Sequence, residues 1–114
     1  MKLKIYHNPR CSKSRQTLQI LEDSAVDFQI IEYLKEVPTE AELRRLIEEL
    51  NIEAIDLIRK GESIYKEHFK GKNLTNEEWI SAMVQNPKLI ERPIVSNGRI
   101  AVIGRPPEKV LELI

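Results

Sequence analysis

Hydrophobic and polar positions in the first third of the chain alternate with the period of a strand, then of a helix, then of a strand. Residues 3–6 alternate between the two classes, which predicts a short strand. Residues 13–23 carry apolar side chains at helical spacing, and Ser12 is the N-cap we expect for that helix. Residues 27–33 then predict a second strand. Strand, helix and strand over about thirty residues are typical of a right-handed βαβ unit with parallel strands.

The middle of the chain is predicted to be helical. In two capping boxes a Thr hydroxyl caps a helix and a Glu three residues later reaches back to the Thr backbone. One box is Thr39 with Glu42, and its helix is expected to end at about Leu50. The other is Thr75 with Glu78, and its helix is expected to end at about Gln85, before Pro87. A short apolar run at residues 55–58 lies between the two helices and ends at Arg59-Lys60-Gly61.

The last quarter returns to strands. Residues 93–96 and 99–103 flank Asn97-Gly98, and this dipeptide favours a hairpin with a type I′ turn, in which both central residues have positive φ. Residues 108–114 predict a closing helix with proline at its first positions. The order βαβ, helices, β-hairpin, α predicts an α/β protein with a small mixed sheet, which is the thioredoxin-like arrangement.

Length and charge narrow the class of protein. A chain of 114 residues fits one domain, residues 1–114, that needs no metal or disulfide to fold. Eighteen basic and eighteen acidic residues balance, which argues against a general nucleic-acid-binding protein. The first seven residues contain no long apolar stretch, so we expect neither a signal peptide nor a membrane helix. We therefore expect a cytoplasmic protein with no nucleic-acid or membrane partner.

Cys11 is the single cysteine, which excludes an internal disulfide and a thiolate-rich zinc site. A lone cysteine is often an inert buried side chain, and that interpretation stays open. Three features favour a reactive thiolate instead. Cys11 lies at the predicted start of a helix, its neighbours are polar, and residues 1–21 contain five basic residues and no acidic one. Helix N–H groups and nearby cations lower a thiol pKa below the free value of about 8.5.

His7 and Arg15 lie four residues before and after Cys11. At this spacing Arg15 falls in the first turn of the predicted helix, within reach of an anion bound there. His7 ends the first strand and has the chemistry to polarise the thiol or to hydrogen-bond the loop. From spacing alone, a solvated arginine and a structural histidine remain equally good interpretations.

Residues 7–15, His-Asn-Pro-Arg-Cys-Ser-Lys-Ser-Arg, resemble the active-site loop of the glutaredoxin-coupled arsenate reductases. That family shows His, three residues, Cys, three residues and Arg. Three further segments resemble the family in the same order, so the resemblance covers essentially the whole chain. They are residues 57–60, residues 91–95 and residues 104–106.

The resemblance implies a thioredoxin-like fold and a role for each matching residue. Cys11 corresponds to the nucleophile, and His7 and Arg15 to residues that lower its pKa. The substrate-binding positions are Asn8, Ser14, Arg59, Arg92 and Arg105. Ser14 also corresponds to a hydrogen-bond partner in the loop. Pro93 corresponds to a cis proline beside the nucleophile. The implied reaction is reduction of arsenate, with glutathione as co-substrate, glutaredoxin as partner, and no bound cofactor or metal.

The single cysteine also restricts the mechanism. Reducing arsenic from +5 to +3 takes two electrons, and one thiol cannot supply both and finish as an internal disulfide. An external thiol must therefore attack, and the mixed disulfide that results is cleared by exchange. In the family that the chain resembles, this thiol is glutathione and the exchange is carried out by glutaredoxin.

Three other functions remain as alternatives. A monothiol glutaredoxin-like enzyme acting on glutathionylated proteins fits the basic loop equally well. Redox-linked regulators of the same fold generally carry a Cys-x-x-Cys switch, whereas this chain has Ser14 at the second position. Tyrosine phosphatases place five residues between Cys and Arg, and the residue at that spacing here is Thr17.

Overall fold

The computed structural model describes residues 2–114, so Met1, the first residue of the predicted domain, lies outside the described residues. Four strands and four α-helices follow one another with three 3₁₀ segments between and after them. In chain order they are β1 (Leu3–His7), α1 (Ser12–Asp23), β2 (Phe28–Glu32), α2 (Glu40–Leu50), a 3₁₀ segment (Ala54–Leu57), α3 (Ser63–His68), α4 (Asn76–Gln85), a 3₁₀ segment (Pro87–Leu89), β3 (Ile94–Ser96), β4 (Ala101–Ile103) and a 3₁₀ segment (Pro107–Leu113).

The strands form one mixed sheet in the order β2-β1-β3-β4. β1 and β2 are parallel, and β3 is antiparallel to both β1 and β4. Ile5 lies at the centre, paired with Ile30 on one side and Val95 on the other. The predicted α/β class, the βαβ unit and the mixed sheet are therefore confirmed.

Each face of the sheet carries its own apolar cluster, because successive side chains of a strand point to opposite faces. Leu3 and Ile5 pack with Leu21 of α1 and with Val110 of the last 3₁₀ segment. Tyr6 belongs to the larger cluster on the other face, which α2 and α4 cover. His7 shares the face of Leu3 and Ile5, so the end of β1 directs this side chain toward α1.

Both capping boxes are confirmed. The Thr39 hydroxyl accepts the N–H of Glu42 at 3.1 Å, and the Thr75 hydroxyl accepts the N–H of Glu78 at 3.2 Å. The two helices end at Leu50 and Gln85, as predicted. No signal of this kind precedes α3, a helix of six residues with no buried side chain, and the sequence did not predict it.

Two details of the predicted helices are wrong. Ser12 is the first residue of α1 and Cys11 is its N-cap, since the Cys11 carbonyl accepts the N–H of Arg15 at 3.0 Å. The closing segment is a 3₁₀ helix at Pro107–Leu113. The shift of one residue at α1 matters, because it places the Cys11 side chain beside the first N–H groups of the helix.

The hairpin of β3 and β4 is confirmed, but its predicted turn type is wrong. Gly98 has a positive φ of 92°, whereas Asn97 is not among the residues with positive φ. The Asn97 side-chain oxygen instead accepts the N–H groups of Arg99 and Ile100, both at 2.9 Å. An asparagine side chain readily accepts N–H groups two or three residues later in the chain, and here these bonds replace the type I′ geometry.

None of the helices among residues 2–114 has both the length and the apolar character needed to cross a membrane.

Gly104, just after β4, is required by a close approach to α1 and to Pro93. A Cβ placed on Gly104 would lie 2.5 Å from Thr17 Oγ1 and 2.8 Å from Pro93 Cγ. We expect Gly104→Ala to lower the free energy of unfolding by about 1–3 kcal/mol, the usual cost of overpacking. Urea denaturation measures this change.

Gly61→Ala is the matched control, because a Cβ at Gly61 would meet no atom within 4 Å. Its free energy of unfolding should stay within about 0.5 kcal/mol of that of the parent. Equal effects of the two substitutions would contradict the packing argument.

Candidate active site

The loop between β1 and α1 presents Cys11 at the start of the helix. The Cys11 N–H donates to the Asn8 carbonyl at 3.0 Å, and the Arg10 N–H donates to the Asn8 side-chain oxygen at 3.0 Å. These bonds close a tight turn that leads directly into α1. The Cys11 side chain is half-buried at the point where the first N–H groups of the helix have no partner within the helix.

The surroundings of Cys11 favour the thiolate. Burial raises the pKa of this thiol, but the backbone N–H of Ser14, the Arg92 guanidinium, the N–H of Lys13 and the Arg105 guanidinium lower it, and the net pKa is below the usual value. Arg105 makes the contact most directly, because its Nη2 lies 3.7 Å from the Cys11 sulfur. The sulfur is thus held in a site built for negative charge.

His7 contacts Ser14. The Nδ1 atom of the buried His7 ring lies 2.6 Å from the Ser14 hydroxyl oxygen, which also accepts the Asn8 N–H at 3.0 Å. Burial, opposed by Glu32 and assisted by Arg15, lowers the pKa of His7. The contacts give His7 and Ser14 a positioning role in the loop, and the predicted effect of His7 on the pKa of Cys11 stays a prediction.

Arg15 also supports the loop. Its Nη1 donates to the Pro9 carbonyl at 2.9 Å. This bond holds the Arg15 side chain against the loop, and the predicted role of Arg15 in lowering the pKa of Cys11 stays a prediction. The Asn8 side-chain oxygen and the Ser14 hydroxyl also form hydrogen bonds within the loop. Direct substrate contacts of Arg15, Asn8 and Ser14 remain predictions.

Arg92 and Arg105 are brought together at the end of the hairpin. Arg92 precedes Pro93 and β3 through a cis peptide bond, as the resemblance implies, and Arg105 also precedes a cis proline. The Gly104 N–H donates to the Pro93 carbonyl at 2.9 Å, and Arg105 Nε donates to the Arg92 carbonyl at 2.8 Å. These bonds hold Arg92 and Arg105 next to each other, and both charges act on Cys11.

Arg59 reaches the same region through a short backbone pairing. Ile58 and Ile90 form an isolated antiparallel bridge. The Arg59 N–H donates to the Leu89 carbonyl at 2.7 Å, and the Glu91 N–H donates to the Leu57 carbonyl at 2.8 Å. This pairing joins the segment of Arg59 to the segment of Arg92, although the two are far apart in sequence.

Glu62 and Glu91, two acidic residues of this arginine cluster, were not predicted. Glu91 Oε1 lies 3.5 Å from Arg92 Nη1 and 3.6 Å from Arg105 Nε. Glu62 Oε2 lies 3.3 Å from Arg59 Nη1. Their positions beside and three residues after an arginine are the only signals that the sequence offers for them.

Tyr33 was predicted as a strand residue and not as part of the site. Its hydroxyl is buried and, like Arg92 Nε, has no hydrogen-bond partner among residues 2–114. Burial raises the pKa of Tyr33, and the charges of Arg92 and Arg59 oppose this effect. Tyr33 is therefore a common neighbour of both arginines and of the Cys11 loop.

A groove of about 480 Å³ begins at the Cys11 loop. Its lining includes four cationic and two anionic side chains together with the buried Tyr33. These charged residues are Arg10, Lys35, Arg59, Lys88, Glu32 and Glu62. Among residues 2–114, no three His, Cys, Asp or Glu side chains come together as a metal site would require.

Comparison with known proteins places this geometry in a family. Residues 6–113 match the ArsC family model. The chain is 50% identical to the uncharacterized protein YfgD of Escherichia coli K12, over 98% of this chain and 96% of the relative. It is 40% identical to an arsenate reductase of Haemophilus influenzae, with full coverage of both chains.

A solved structure agrees with the sequence comparison. The arsenate reductase from Vibrio cholerae superposes with a TM-score of 0.94 at 47% sequence identity, and the match covers 100% of this chain and 98% of that one. The four-stranded mixed sheet with its helices is thus the thioredoxin-like arrangement that the sequence predicted. The chain belongs to the ArsC family.

Proposed function

We propose that this protein reduces arsenate to arsenite, with Cys11 as nucleophile and with glutathione and glutaredoxin as the source of electrons. The observation that carries the proposal is the position of the single thiol. Cys11 lies at the start of α1, within 3.7 Å of Arg105 and close enough to Arg92 for both charges to lower its pKa. The arsenate reductases of Haemophilus influenzae and Vibrio cholerae, to which the chain is similar, support the choice of substrate.

Positive charge is needed before the thiolate can react. Arsenate near neutral pH is a tetrahedral anion, and the attacking sulfur is negative as well, so the two repel each other. Arginine offsets this repulsion better than lysine, because its planar fork donates paired hydrogen bonds to oxyanions and keeps its charge. We assign this role to Arg59, Arg92 and Arg105, which converge on the Cys11 loop.

The first chemical step forms a bond between sulfur and arsenic. The Cys11 thiolate attacks arsenic and one oxygen leaves as hydroxide, which takes up a proton to become water. Arsenic remains in the +5 state in this thiol adduct. We expect the N–H groups of Lys13 and Ser14 and the Arg105 guanidinium, which stabilise the thiolate, to stabilise the oxygens of the adduct as well.

The second step transfers the electrons. The thiolate of glutathione attacks the Cys11 sulfur, a disulfide forms, and the electron pair of the sulfur–arsenic bond passes to arsenic, which leaves as arsenite in the +3 state. Glutaredoxin then removes the glutathione by thiol–disulfide exchange and restores Cys11. Two thiols are oxidised to one disulfide, which accounts for both electrons.

The groove beside the loop has the charges that a peptide thiol requires. Glutathione carries two carboxylates and one ammonium group. Arg10, Lys35 and Lys88 are suited to the carboxylates and Glu32 to the ammonium group. We therefore assign this groove to the thiol co-substrate.

Cys11→Ser should lower arsenate turnover at least about a thousandfold, as is usual when a nucleophile is removed. The measurement is a coupled assay with arsenate, glutathione and glutaredoxin. A variant with turnover like that of the parent would refute the proposed nucleophile.

Arg59→Ala should lower kcat/KM for arsenate roughly 10- to 100-fold, because a charge-assisted contact to the anion is lost. Exchange with a glutathionylated test protein should change far less, since that reaction has no tetrahedral anion and Arg10, Lys35 and Lys88 remain for the glutathione carboxylates. Lys60→Ala, the exposed neighbour, is the matched control and should leave both reactions intact. If Arg59→Ala impaired both reactions equally, a general glutaredoxin-like function would be favoured.

The alkylation rate of Cys11 should reach half its maximum at a pH below the usual thiol pKa, because the thiolate is the reacting form. Arg105→Gln removes a cation beside the sulfur and should move this midpoint to higher pH. Arg99→Gln, on the exposed hairpin loop, should not move it. A midpoint in the parent at or above the usual thiol pKa would contradict the activation of Cys11.

A further inference from the structure

We propose that Glu91 is a specificity-determining residue of the anion site. Its carboxylate shares Arg92 and Arg105 with any oxyanion that binds there and thereby selects against anions of high charge. The inference rests on the proposed function, because it assumes that these arginines bind the substrate.

The backbone of Glu91 is held by the same backbone pairing that positions Arg59. Its N–H donates to the Leu57 carbonyl at 2.8 Å, next to the Ile58–Ile90 bridge. The carboxylate then lies 3.5 Å from Arg92 Nη1 and 3.6 Å from Arg105 Nε. Glu91 is therefore anchored in the site by its backbone as well as by its charge.

Arg105 connects the carboxylate to the reacting atom. One guanidinium group contacts Glu91 through Nε and the Cys11 sulfur through Nη2, at 3.6 and 3.7 Å. An oxyanion attacked by Cys11 must lie against this guanidinium group and hence near Glu91. The Glu91 side chain is 27% exposed, so the carboxylate is open to a ligand from solvent.

The charges of the cluster are already balanced. The guanidinium groups of Arg92 and Arg105 contact the Glu91 carboxylate, Arg105 also contacts the Cys11 sulfur, and Arg59 pairs with Glu62. Their formal sum is zero when the thiol is ionised. A dianion is repelled by Glu91 about twice as strongly as a monoanion at the same place, because the Coulomb energy scales with charge. Compared with the arginines alone, Glu91 therefore lowers the preference of the site for a dianion over a monoanion.

Two tetrahedral probes of different charge test this inference without turnover. Sulfate is a dianion and methanesulfonate a monoanion at pH 7. The affinity of each is read from its protection of Cys11 against alkylation, at fixed ionic strength. Glu91→Gln keeps the size and the accepting oxygen, and it should bind sulfate roughly 3- to 10-fold more tightly than the parent. The gain for methanesulfonate should be clearly smaller.

An isosteric pair separates charge from geometry. Glu91→Asn should also bind sulfate more tightly than Glu91→Asp, because the two variants differ in charge at equal length. This comparison remains valid if shortening the side chain, or the Gln substitution itself, lowers stability. Glu77→Gln, which breaks the surface pair with Arg44, is the matched control and should leave both affinities unchanged.

Several results would overturn the assignment. They are an unchanged or weaker affinity of Glu91→Gln for sulfate, an equal gain for both anions, an Asp variant that gains as much as the Asn variant, and the absence of protection by either anion. Failure of the parent to reduce arsenate would instead count against the proposed function. The anion measurements would still test the role of Glu91.

Discussion

The stabilisation of negative charge on one sulfur atom is the interaction on which the rest of this site depends. Burial alone would raise the pKa of Cys11 and make the thiol inert. The N–H groups at the start of α1 and the guanidinium groups of Arg92 and Arg105 reverse that effect. The βαβ unit therefore also positions the site. Because β1 and β2 are parallel and α1 connects them, the chain enters α1 at the edge of the sheet where β1 ends.

Three separate segments supply the cations around the Cys11 loop, and short backbone pairings hold these segments in place. The bridge between Ile58 and Ile90 positions Arg59, and the bond from Gly104 to the Pro93 carbonyl positions Arg105 next to Arg92. The close approach of Gly104 to Thr17 ties this arrangement to α1. Packing on both faces of the sheet thus determines the geometry of a site that lies at its edge.

Local signals predicted much of this architecture. The capping boxes at Thr39 and Thr75 and the alternation in β1 act over a few residues, and the structure agrees with them. The N-cap of α1 and the turn at Asn97 depend on competing hydrogen bonds within the same few residues, and the pattern alone did not resolve them.

The arginine cluster could not be predicted from local sequence patterns. Each arginine taken singly is indistinguishable from a surface charge, and only the resemblance to a family grouped them. The roles of Glu91 and Tyr33 in the site were not predicted, because they arise from contacts with residues distant in sequence.

The buried hydroxyl of Ser14 has a consequence for how such a protein is supplied with reducing power. Ser14 is fully enclosed and bonded to His7, at the position where related redox proteins carry their second cysteine. With Cys11 as its single cysteine, the chain has no dithiol pair that could supply two electrons by closing an internal disulfide. In the proposed reaction both the second thiol and the thiol that clears the mixed disulfide come from other molecules, so turnover follows the concentration of reduced thiols in solution.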